Sequence, residues 1–107
     1  MVIDTRTIFI LSKHAVQRSQ QRGIRLEAIW WALRLGRAFH AKDGIIAFHL
    51  GRRQIRQARE QGVRLDDFAD VAVLVNRRPD GTLIVVTVIH APRISRFWRP
   101  ARVGRAA

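Results

Sequence analysis

Two β-rich apolar runs, Val71–Val75 and Thr82–Ile89, flank the segment Arg78-Pro79-Asp80-Gly81. Proline presets φ for the first corner of a turn, while aspartate and glycine suit the positions after it. The spacing predicts an antiparallel hairpin of the two strongest strands in the chain. A second hairpin is predicted upstream, with strands over Arg37–Ala41 and Ile45–Leu50 around Asp43-Gly44. Glycine there accepts the positive φ that a tight turn demands. Gly51 ends that strand, and a helix follows from Arg52 to about Gln61, closed by Gly62. Leu65–Phe68 adds one further turn.

The N-terminal third reads differently. Thr7–Leu11 is a strand or extended lead-in, and Ser12 is placed to cap a polar helix running to about Arg22, where Gly23 stops it. Leu26, Ile29, Trp30 and Leu33 recur at i, i+3, i+4 and i+7, with Trp31 beside them. That period predicts an amphipathic helix ending at Gly36. After Pro92, Arg93, Arg96, Arg99, Arg102 and Arg105 recur at every third residue, the period of a polyproline-type segment. Phe97-Trp98 is expected to dock on the body. Residues 1–100 form one domain, and residues from Ala101 onward a flexible basic tail.

Charge constrains the partner. Lysine and arginine number 20 against 8 acids, a formal charge of +12, and 18 of those cations are arginine. A domain this basic repels itself without an anion nearby, and guanidinium forks two hydrogen bonds onto a phosphate. A polyanion, most often nucleic acid, is therefore the expected partner. No cysteine is present, which excludes disulfides and thiol nucleophiles. Apolar runs fall well short of the ~20 residues that span a bilayer, so no membrane partner and a cytoplasmic location are expected. No histidine pair has i, i+4 spacing, so neither a metal nor a cofactor is expected. His40 and His49 read as ordinary strand residues, and Asp66, Asp67 and Asp70 as turn and cap residues or neutralisers of nearby arginines.

In the first helix His14, Arg18, Gln21 and Arg22 lie at i, i+4, i+7 and i+8, opposite Ala15, Val16 and Ser19. In the third, Arg52, Arg56 and Arg59 form a second stripe opposite Ile55 and Ala58. Either stripe suits a phosphate backbone, and either suits a solvated helix face. Metal-free RNA cleavage needs a base, an acid and cations on the phosphate. Histidine titrates near neutrality and serves as base or acid. Thr87 is the one polar residue inside the run Leu83–Ile89, and His90 ends it.

Leu11-Ser12-Lys13-His14-Ala15-Val16-Gln17-Arg18, then Arg22-Gly23-Ile24, resembles the opening of a family of small bacterial domains of unknown function. That family begins with His-Ala-x-x-Arg-x-x-x-Arg-Gly-Ile and is grouped with the barnase/EndoU/colicin/RelE-like ribonucleases and toxins. The resemblance runs on through Gly51-Arg52-Arg53 to Val86-Thr87-Val88, roughly residues 10 to 100. It implies two N-terminal helices on a four-stranded antiparallel sheet, which with the helix read from Arg52 between the two hairpins makes an α+β fold. It also implies a site shared by the first helix and the sheet, with His14 and Thr87 at the catalytic positions. Two departures stand out. Arg25 occupies a position usually held by a capping Ser or Thr, and Ile89-His90 replaces the usual Tyr-Arg.

The expectation from residues and resemblance together is a metal-independent endoribonuclease of the toxin type. His14, Thr87 and His90 would be catalytic. Arg18, Arg22, Arg52, Arg53 and Arg56 would hold phosphate, and an acidic antitoxin or immunity protein would be a further partner. Two alternatives use the same charge: a non-catalytic nucleic-acid-binding module, and a basic interaction domain with an acidic protein partner.

Overall fold

The computed structural model describes residues 8–101. Its elements run β1 (Phe9–Leu11), α1 (Lys13–Gln21), α2 (Leu26–Leu35), β2 (Arg37–His40), β3 (Ile46–His49), α3 (Arg52–Glu60), β4 (Val71–Arg77), β5 (Leu83–His90) and β6 (Arg99–Pro100). The fold is α+β, with α3 inserted between the two hairpins as expected. The sheet differs from the four antiparallel strands implied by the resemblance. It has six, in the order β1-β5-β4-β3-β2-β6, and β1 runs parallel to β5. The lead-in can pair this way because Leu83 N–H donates to the Ile8 carbonyl and Ser12 N–H to the Val85 carbonyl.

Local signals act where they were read. The Ser12 hydroxyl accepts from Ala15 N–H at 3.0 Å and starts α1. Asp43 and Gly44 both take positive φ, 58° and 75°, which twists the β2–β3 turn to match its strands. In the β4–β5 turn, Gly81 N–H donates to the Arg78 carbonyl and Thr82 N–H to the Asp80 carboxylate.

The two sheet faces are covered unequally. Val71, Val73 and Val75 of β4 and Leu83, Val85 and Val88 of β5 enter the main core with Ala15 of α1 and Ala28, Ile29, Ala32 and Leu33 of α2. The buried stripe of α2 is thus rotated from the one read in the sequence. Leu26 is 62 % exposed, and Trp30 turns outward beneath the Arg34 guanidinium. Alanines at 28 and 32 let the helix lie close to the sheet, and a tryptophan on that line would hold it away. On α1, Ala15 and Ser19 are buried as expected, but Val16 is exposed.

The opposite face carries a smaller cluster of Phe39, Ala47, Ala72 and Ile94, edged by Leu74, Ile89, Ala91 and Trp98. Its cover is the segment after β5, whose course also differs from expectation. A 3-10 turn over Ile94–Arg96 and the short β6 replace the polyproline-type run. Trp98 docks on the body, whereas Phe97 is 78 % exposed. Ala101 donates its N–H to the Ala38 carbonyl, so ordered chain reaches the start of the expected tail. Arg102, Arg105 and the rest of that tail lie outside the described residues.

Candidate anion-binding cleft

Strand alternation puts Arg37 and Phe39 of β2 on the thinly covered face, and the β2–β3 register sets Arg37 opposite His49. His49 is therefore no ordinary exposed strand residue. It is 7 % exposed, with its ring edge-on to Phe39 at 6.0 Å between centroids. Its Nε2 lies 3.2 Å from Asp70 Oδ1, though off the line of a directed hydrogen bond.

Asp70 reaches that place through its backbone. It adopts a left-handed φ of 65°, a conformation aspartate tolerates better than most residues. Asp70 N–H donates to the Leu50 carbonyl, and its own carbonyl accepts from Ala91 N–H, both at 2.8 Å. The ends of β3 and β5 thereby hold the carboxylate against the imidazole. Burial pushes the His49 pKa below its ordinary value, and the Asp70 carboxylate opposes that shift only in part. Burial thus favours the neutral ring over the imidazolium.

With Nε2 turned to the carboxylate, Nδ1 is left on the side of Gly51, the N-cap of α3. A Cβ at Gly51 would stand 3.4 Å from Nδ1 and 2.9 Å from Gln54 Oε1, so a side chain there would crowd this approach. Gln54 Oε1 instead accepts from Gly51 N–H at 3.1 Å. The cleft here has a volume of about 680 Å³ and is walled by Arg37, His49, Arg52, Arg53, Asp70 and Pro92, among others. Three arginines and one aspartate thus line the cleft, the Arg37 guanidinium lying over the Phe39 ring, and the free N–H groups of the first turn of α3 add partial positive charge. Arg52 also lines a second hollow along α3 with Arg56 and Arg59. The two hollows form one basic track.

The residues expected at the site fall into two groups. Arg52, Arg53 and Arg56 belong to this track. His14, exposed in the first turn of α1, lies on the other face of the sheet. There Arg18 Nε donates to His14 Nε2 at 3.4 Å and Arg18 Nη1 to Gln21 Oε1 at 3.2 Å. Arg22 turns away from that pair and donates to the Val88 carbonyl. Thr87 registers opposite Leu74, which faces away from α1, so the sheet separates Thr87 from His14. Thr87 shares the face of His49 but sits two strands across and two residues along, roughly 12 Å away by sheet geometry. His90 registers opposite Val71, at the exposed end of β5. The structure therefore does not assemble His14, Thr87 and His90 into one centre.

His49, Asp70 and Arg37 were missed by the sequence reading. The usable signal was the alternation Arg37-x-Phe39 against Ala47-x-His49, which puts an imidazole beside a cation on one face. No family model, curated protein or solved structure matches the chain. Fold and site define an α+β protein with a cationic cleft built around an imidazole–carboxylate pair.

Proposed function

We propose that the chain is a metal-independent endoribonuclease whose centre is the His49 cleft. One observation carries this reading: an imidazole backed by a carboxylate lines one cleft with three arginines that pair with none of the described carboxylates. Among the described residues, Arg59 is the one arginine paired with a carboxylate, that of Asp66. Arg37, Arg52 and Arg53 would hold the scissile phosphate and offset the charge that builds on it. His49 Nδ1 would take the 2′-hydroxyl proton as O2′ bonds to phosphorus. The P–O5′ bond breaks, leaving a 2′,3′-cyclic phosphate and a 5′-oxygen that takes its proton from water. The unpaired charge equally suits an acidic antitoxin that would cap the cleft.

Incubation of end-labelled RNA in EDTA with wild type, His49→Gln and His14→Ala tests the assignment. Cleavage to a cyclic phosphate by wild type and His14→Ala, but not by a folded His49→Gln, is the expected result. Cleavage that depends on His14 and not on His49 would move the centre to the α1 face.

A second reading is favoured by a specific observation. Neither His14 nor His90 reaches the cleft, so it holds one proton-transfer group where general acid–base cleavage uses two. A non-catalytic RNA-binding module would show salt-sensitive binding with no bond cut.

A further inference from the structure

Beside the cleft, on the same sheet face, lies a mostly apolar groove of about 400 Å³, lined by Ile89, Pro92, Ile94, Phe97 and Trp98 together with His90 and Arg93. Its composition is unlike that of the cleft, yet the two are neighbours. Pro92 and Ile94 line both, so the wall between them is the single 3-10 turn that begins at Ile94. Phe97 contributes nothing to the core: it is the most exposed large apolar side chain of the described residues. Trp98 anchors the turn by docking on the smaller cluster, which holds the neighbouring phenyl ring at the surface.

An exposed aromatic ring one turn from a row of guanidiniums has a natural complement. In a single-stranded nucleic acid, charged phosphates alternate with flat apolar bases that need a surface to stack on. A duplex keeps its bases stacked inside and offers only phosphate. We infer that the groove is a stacking subsite for an unpaired base next to the phosphate held by Arg37, Arg52 and Arg53, and that the protein therefore selects single-stranded over double-stranded RNA. Arg93, which also lines the groove, would contact the next phosphate. The inference rests on the cleft being the phosphate site.

Three ligands separate the contributions: a single-stranded 2′-O-methyl RNA ten-mer that cannot be cleaved through its 2′-oxygen, its duplex, and inorganic polyphosphate, which has charge but no bases. Wild type should bind the single strand more tightly than the duplex. Phe97→Ala should weaken single-strand binding about tenfold and leave polyphosphate binding unchanged. Phe97→Tyr, which keeps the ring, should bind as wild type does. Unchanged single-strand affinity in Phe97→Ala, or an equal loss towards polyphosphate, overturns the inference while leaving the cleft intact. Unchanged polyphosphate affinity in Arg52→Ala and Arg53→Ala instead overturns the cleft as the phosphate site, and the subsite with it.

Discussion

The two faces of this sheet share their strands but not their physics. On one, α1 and α2 seal Val71, Val73 and Val75 into the main core. On the other, Ala47 and Ala72 leave shallow relief, and one segment after β5 is the only cover within the described residues. The sealed face supplies most of the apolar burial and so most of the stability. The open face can hold a buried histidine, three arginines lining one cleft and an exposed phenylalanine, because little else competes for the space. The site proposed on the thin side draws its rigidity from the thick one through β3 and β4.

The largest expected effect breaks that division chemically. His49→Gln should reduce cleavage by about 10²–10⁴-fold, the usual contribution of a positioned base, while the fold survives in circular dichroism. Residual cleavage at the wild-type rate would return the open face to a purely binding role. Next, Ile29→Ala on the sealed face should cost about 2–5 kcal/mol in urea unfolding, as expected for a fully buried isoleucine. Phe97→Ala on the open face should leave the unfolding midpoint nearly unchanged. Comparable losses for the two would erase the contrast.

A smaller effect is a gain. Arg25 is the N-cap of α2 and makes no side-chain capping bond. Arg25→Ser should add about 1 kcal/mol, read as a shifted midpoint at constant slope. Arg52→Ala should lower the salt slope of single-strand binding by about 0.7, one phosphate contact.

The pH dependence follows from His49, whose folded-state pKa lies below the ordinary 6.5 because burial disfavours its charged form. A lowered folded value means that the neutral ring contributes fully above pH 6.5. That contribution is lost as pH falls through the folded pKa. Wild type should therefore lose more stability than His49→Gln between pH 7.5 and pH 5 in thermal melts. Parallel losses would show that the imidazole is not desolvated by the fold.

Much of the frame was legible in contiguous residues. Ser12, Asp43-Gly44 and Pro79-Asp80-Gly81 act within a few positions of themselves, so neighbours suffice to read them. The β4 and β5 runs announce strands by composition. The site was only half legible. Arg52, Arg53 and Arg56 follow from helix period, but His49 looked like any strand residue because alternation assigns side chains to a face without saying what covers it. The α2 stripe misled because Trp30 satisfies the period as well as Ala28 does. Close packing on the sheet, which selected the smaller side chain, is not a property of the helix alone.

Helix starts, turns and the basic excess thus belong to the chain as written, since each is an interaction between near neighbours or a sum over residues. The imidazole–carboxylate pair belongs to the tertiary structure. It needs residues 49 and 70 brought together by the Asp70–Leu50 and Ala91–Asp70 hydrogen bonds, and an aspartate held at positive φ by that closure. Which histidine becomes special was decided by burial, and burial is set by what the rest of the chain lays over it.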